Sequence, residues 1–151
     1  MENLGALSLI LALPLAAYAA AAFIAARGGR RPLLLASAER AVYAVWLLIT
    51  LASVLLVQAL LTSDFRFAYA AGHTSSDLQP LYKFTAWWGG QEGSLLLWSW
   101  ILACCAALLA RGGRRDDGEA SHVAAAIVAG VQAFFLALNV FVATPFEVLA
   151  V

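Results

Sequence analysis

Charge is scarce in this 151-residue chain: Asp, Glu, Lys and Arg make up 12% of it, with nine basic and nine acidic residues and a net charge of zero. No surplus of cations is left to neutralise a phosphate backbone, so nucleic acid is not expected as a partner. Histidine is almost as rare. His73 and His122 stand far apart and match no ligand motif, and each reads as a solvated or surface side chain. The two cysteines are neighbours, Cys104 and Cys105, inside an apolar run. That placement gives neither zinc-ligand spacing nor a redox Cys-x-x-Cys pair, and it cannot make a disulfide framework. They read as small buried packing residues. The Cys-x-x-Cys-His sequence that attaches haem covalently is also missing, so the chain is not itself a c-type cytochrome.

What the chain has in abundance is apolar surface. Hydrophobic residues reach 64%, well beyond the roughly 45–50% of soluble domains, and the expected fold class is an all-α integral membrane protein. Four runs, about 4–26, 40–62, 95–111 and 122–143, approach or exceed the ~20 residues that cross a bilayer. A secretory leader competes for the first, because the alanines near Ala16 to Ala22 resemble cleavage sites. Against it, the segment lacks a basic n-region and carries acidic Glu2. Pro14 predicts a kink in this helix. Leu33 to Ala38 reads as a surface segment before the second span, and Ser94 and Ser121 as N-caps of the third and fourth. Inside the spans, Gln58, Gln132 and Asn139 are expected to hydrogen-bond to other helices, unless that face lines a cofactor or quinone cavity.

Orientation follows from the basic residues. Arg27, Arg30, Arg31, Arg40, Arg111, Arg114 and Arg115 fall in or beside the first and third connections, leaving only Arg66 and Lys83 in the second. The positive-inside bias then puts the N-terminus, the 63–94 loop and the tail on the outer face.

That outward loop carries the most unusual stretch, Tyr82-Lys83-Phe84-Thr85-Ala86-Trp87-Trp88-Gly89-Gly90-Gln91-Glu92-Gly93-Ser94. Asp77 and Pro80 predict a short interfacial helix with Leu81, Phe84, Thr85 and Trp88 along one face, and the glycines then break it ahead of an apolar helix starting near Leu95. Glu92 would lie at that helix's positive end. Trp98 and Trp100 read as membrane-belt residues. Trp87 and Trp88 offer an aromatic shelf on which a planar ligand could stack, Gly89 and Gly90 allow close approach to the backbone, and Lys83 and Arg66 are the loop's two cations.

Tyr82, Lys83, Trp88, Gly89, Glu92 and the run Gly93-Ser94-Leu95-Leu96-Leu97-Trp98 resemble the first signature of the CcmF family, the membrane subunit of the bacterial haem lyase in cytochrome c biogenesis. Ser63-Asp64-Phe65 and Thr144-Pro145-Phe146 follow the family's order of features, with Thr144 in place of an expected asparagine and Gln91 where many relatives have histidine. The resemblance implies a multi-pass protein of the bacterial inner membrane with a periplasmic N-terminus. It implies receipt of haem from a CcmE-type chaperone and its attachment to apocytochrome c, with CcmH- and CcmI-type subunits as partners. It also implies haem b in the full-length protein, with ligands outside this segment, and a single membrane domain that is a fragment of a longer chain, inactive alone. For such a haem, Trp87, Trp88, Gly89, Gly90 and Glu92 are the proximal candidates, with Lys83 and Arg66 as cations for its propionates or, equally, for lipid phosphates. Two other classes compete: a structural or docking module for the haem-handling core, and a channel or transporter subunit.

Overall fold

Four of the helices in the computed structural model are long and apolar enough to cross a membrane. The structure describes residues 2–26, 31–113 and 119–148. The long helices are α1 (Glu2–Ala25), α2 (Pro32–Leu61), α5 (Gln91–Gly113) and α6 (Glu119–Phe141). Between α2 and α5 stand two short helices, α3 (Ala68–His73) and α4 (Pro80–Thr85), then a 3-10 turn over Ala86–Trp88. Arg27, Arg30, Arg114 and Arg115, which carry much of the orientation argument, lie outside the described residues.

Helix α2 differs from expectation at its start. Leu33 to Ala38 is no separate surface segment but the first turns of α2, because Pro32 opens the helix at its first position and nothing before Arg40 breaks it. At 30 residues and 1.5 Å per residue, α2 is about 45 Å long. It therefore outruns a hydrocarbon layer of roughly 30 Å. Helix α1 continues through Pro14.

Helix α1 packs against α2 and α6, and α5 packs against the same two, so the four long helices close a ring in the order α1, α2, α5, α6. The seams are lined by small residues: Ala12, Ala16, Ala19 and Ala22 of α1 are at most 3% exposed, and Ala129 of α6 is equally buried. Small side chains let helix backbones approach closely, the main source of association in lipid. Asn139 meets the expectation of an interhelical bond, its Nδ2 donating to Ser99 Oγ on α5 at 2.9 Å. Gln132 is buried without a partner. Gln58 is exposed, one turn from the end of α2, and not buried between helices. Cys105 is likewise exposed and not a core residue, since it falls on the outer face of α5. Cys104 accepts a hydrogen bond from Trp46 Nε1 at 3.3 Å.

One end of the ring is sewn shut. Phe146, in the segment after α6, meets Phe67 edge-on with centroids 6.0 Å apart. The same ring lies against Gly5 of α1, where a Cβ would collide with it. The Ala68 N–H donates to Glu147 O at 2.9 Å, and Phe67 pairs with Val148 in an antiparallel bridge. The Thr-Pro-Phe segment thus ties the start of α1, the start of α3 and the end of α6 together.

Candidate ligand site at the Trp-rich turn

The 68–94 region folds around a side chain that the sequence did not single out. Tyr69, 5% exposed on α3, donates its hydroxyl proton to Ala86 O at 2.8 Å and accepts from the Gly90 N–H at 3.1 Å. The phenol therefore bridges the two sides of the Trp87-Trp88 turn. Burial raises its pKa above the usual tyrosine value; the Gly90 N–H opposes that shift and the Glu92 charge adds to it. His73 stacks on the Tyr69 ring at 4.3 Å, and its Nδ1 lies 3.0 Å from Tyr69 O. It is exposed, as a solvated residue would be, yet it also lids the phenol.

The glycines serve this latch. A Cβ at Gly90 would strike the His73 and Tyr69 rings, and one at Gly93 would strike Trp87 O and the Tyr69 hydroxyl. Gly89 has only ordinary contacts around the same position, the nearest at 3.5 Å. The close approach that Gly90 permits is thus made by Tyr69 and His73 of the same chain. Because the turn is held this way, helix α5 begins at Gln91 and not near Leu95. Ser94 is inside its first turn, donating to Trp88 O at 3.0 Å, and is not an N-cap. Ser121 similarly falls inside α6, which opens at Glu119.

Trp87 and Trp88 do not form one shelf. They occupy the 3-10 turn, where successive side chains diverge: Trp87 is 9% exposed and Trp88 47% exposed. Phe84 sits edge-on to both, at 6.1 Å and 5.6 Å. Trp88 thus presents an outward aromatic face backed by Phe84, while Trp87 points into the bundle and packs on Trp100 at 6.1 Å. Trp100 is accordingly no belt residue; its Nε1 donates to Thr50 Oγ1 of α2 at 3.1 Å. Trp98, 59% exposed, does have the exposure of one.

The two cations separate. Lys83 is 9% exposed and donates through Nζ to Ser63 Oγ at 2.7 Å. Ser63 adopts a left-handed backbone with φ of 53°, which turns the chain at the end of α2. Arg66 instead pairs with Asp64, donating through Nε at 2.8 Å and Nη2 at 2.6 Å, and that bond holds the Asp64 carboxyl below its usual range. Glu92 is half-buried in the first turn of α5, where the helix dipole favours a carboxylate. Beneath the turn lies a cavity of about 280 Å³ lined by Thr50, Ser53, Val54, Val57, Phe84, Trp87 and Trp100.

This volume is too small to enclose haem. The histidines do not complete a site for its iron either: His73 ends α3 at the latched end of the ring, while His122 lies in the first turn of α6, at the opposite end. No step through a haem held by this segment alone follows from its geometry.

No family model matches the chain. The cytochrome c-type biogenesis protein CcmF of Pseudomonas aeruginosa is 42% identical over 104 residues, 68% of this chain and 16% of the relative. The biogenesis protein NrfE of Haemophilus influenzae is 30% identical over 117 residues, 78% of this chain and 18% of the relative. A solved structure of the cytochrome c haem lyase CcmF superposes with a TM-score of 0.89 at 28% identity, covering 99% of this chain and 25% of that one. The chain spans less than a fifth of those curated relatives and a quarter of the solved protein. With four bilayer-length helices and a Trp-rich connection in the arrangement of that solved lyase, the chain belongs to the CcmF family of membrane-embedded cytochrome c biogenesis proteins.

Proposed function

We propose that the chain is part of a membrane subunit of a cytochrome c haem lyase, helping to deliver haem and attach it to apocytochrome c at the outer face of the bacterial inner membrane. In this reading the latched turn faces the periplasm. Haem of type b belongs to the full-length protein, with ligands outside this segment, and the other participants are a CcmE-type chaperone and CcmH- and CcmI-type subunits. The observation that carries the reading is Trp88, an exposed indole braced by Phe84 on a turn locked by Tyr69, within a fold similar to a solved haem lyase. An aromatic face held still loses little entropy when a planar ligand stacks on it.

Replacing Trp88 by Ala in the full-length protein tests this. Losing one aromatic contact of ~0.5–1.5 kcal/mol lowers haem retention or holocytochrome yield by about 2- to 10-fold at unchanged membrane abundance. Unchanged haem and unchanged maturation would remove the reading. One observation favours the rival docking-module role: Gly90, Gly93 and Trp87 are all occupied by packing within the chain. Under that role Trp88→Ala leaves haem content intact and weakens co-purification of partner subunits.

A further inference from the structure

We propose that the groove between α2 and α5, at the end of the ring away from the Trp-rich turn, binds one anionic phospholipid, with its phosphate on Arg111 and Arg40 and an acyl chain along the apolar floor. This site does not depend on the haem-lyase reading. Two interhelical hydrogen bonds set the register of the antiparallel pair: Trp100 Nε1 donates to Thr50 Oγ1 at 3.1 Å, and Trp46 Nε1 to Cys104 Sγ at 3.3 Å. Four residues back along α2 therefore match four residues forward along α5. Carried six residues further, the same register brings Arg40 level with Ala110, one residue short of Arg111. The two arginines thus flank one end of the groove.

The groove has a volume of about 340 Å³ and is lined by Tyr43, Trp46, Cys104, Ala107, Leu108 and Arg111, within the roughly 300–1,000 Å³ of small-ligand sites. From Cys104 to Arg111 it runs about 10 Å, at 1.5 Å per residue. Because the Trp46 N–H is engaged by Cys104, the indole presents hydrocarbon to this space. Charge stands at one end only. Arg111 and Arg40 are exposed, and neither is in an ion pair among the described residues. Glu39, the acidic residue at that level of α2, is buried and already engaged. Such a groove fits a long hydrocarbon with an anion at its head, since guanidinium groups hold phosphate oxygens through paired N–H donors. The surroundings choose lipid as the source. Leu47 and Leu108, beside the groove, are 59% and 69% exposed on helices of bilayer length, so this face meets acyl chains. Arg111 is the last residue of the apolar span of α5, the depth at which basic pockets between membrane helices meet anionic headgroups. A zwitterionic headgroup fits less well, because its ammonium would be set beside two arginines.

The test uses the full-length protein in phosphatidylcholine vesicles doped with phosphatidylglycerol or, at the same mole fraction, phosphatidylethanolamine, each bearing a photoreactive diazirine near the carbonyl end of one acyl chain. After illumination, peptide mass spectrometry compares adducts on the segments 43–47 and 104–111 with those on the exposed face of α1, which reports ordinary lipid contact. The phosphatidylglycerol probe is expected to favour the groove by about 10-fold over the phosphatidylethanolamine probe, as two arginines near a headgroup would give. Arg111→Gln lowers the groove signal by about 10-fold, the lower end for a hydrogen bond to a charged group. Arg40→Gln lowers it by about 2- to 5-fold, as for an exposed ion pair. Ala107→Trp fills the groove with both arginines in place and abolishes the signal. The comparison of the two probes on the unaltered protein stands even if a variant folds poorly. A groove signal equal for the two probes, a signal unchanged by Arg111→Gln, or none at all because a later part of the full-length protein covers the groove, overturns the proposal.

Discussion

A single phenol organises the turn, and its removal is the sharpest residue-scale test. Tyr69→Phe leaves the Gly90 N–H without its acceptor, while the Ala86 carbonyl keeps the Gly89 N–H as a partner, a loss of ~1–3 kcal/mol when the orphaned group stays buried. Limited proteolysis in the 74–90 segment should accelerate accordingly. Gly90→Ala and Gly93→Ala should cost about 1–3 kcal/mol by overpacking, whereas Gly89→Ala, with no contact under 3.5 Å, should stay within about 0.5 kcal/mol; equal losses at all three would refute the latch. Alkali probes the same residue. Because burial raises the Tyr69 pKa, the folded turn favours the neutral phenol. Its contribution to stability is full below about pH 10, the unfolded value, and disappears as pH rises through the higher folded value. Phenolate absorbance should show one tyrosine titrating late, a phase missing in Tyr69→Phe. The sequence marked the glycines and tryptophans of this motif as its most unusual stretch, and the structure gathers them at one turn. Tyr69 was not marked, because a tyrosine amid alanines in a six-residue helix has no periodic pattern to mark its buried side.

At the scale of elements, the apolar runs made four long helices readable, since length and hydrophobicity alone decide that a segment can cross a bilayer. Their starts were less readable. Ser94 has the chemistry of an N-cap, but the Gly90 N–H is fixed by Tyr69 from 21 positions away, and α5 begins earlier than any local rule predicts. The amides show the same split. Asn139 found Ser99, whereas Gln58 turned outward near a helix end. The Asn139–Ser99 bond should couple α5 to α6 by ~0.6–2 kcal/mol. A double-mutant cycle of Asn139→Leu and Ser99→Ala, read by unfolding in detergent, measures it; additive effects would mean that the bond contributes nothing.

For the whole molecule, orientation rests on the distribution of arginines, and it is testable without reference to haem. Cysteines placed at the exposed residues Ser75 and Glu147 should react with an impermeant maleimide from the periplasmic side, and one at Gly113 only after permeabilisation. The reverse pattern would invert the topology. The alanine seams between the long helices have a calorimetric consequence. Folding of a water-soluble core removes apolar surface from water, so its unfolding carries a heat-capacity increment of about 0.45 cal/K/mol for each Å² exposed. When Ala12, Ala16 and Ala19 separate from their neighbours inside a bilayer, they meet acyl chains and not water, and that increment largely vanishes. The stability curve of this helix ring against temperature should therefore be nearly straight where a soluble bundle of the same size gives a dome, with no cold-side maximum.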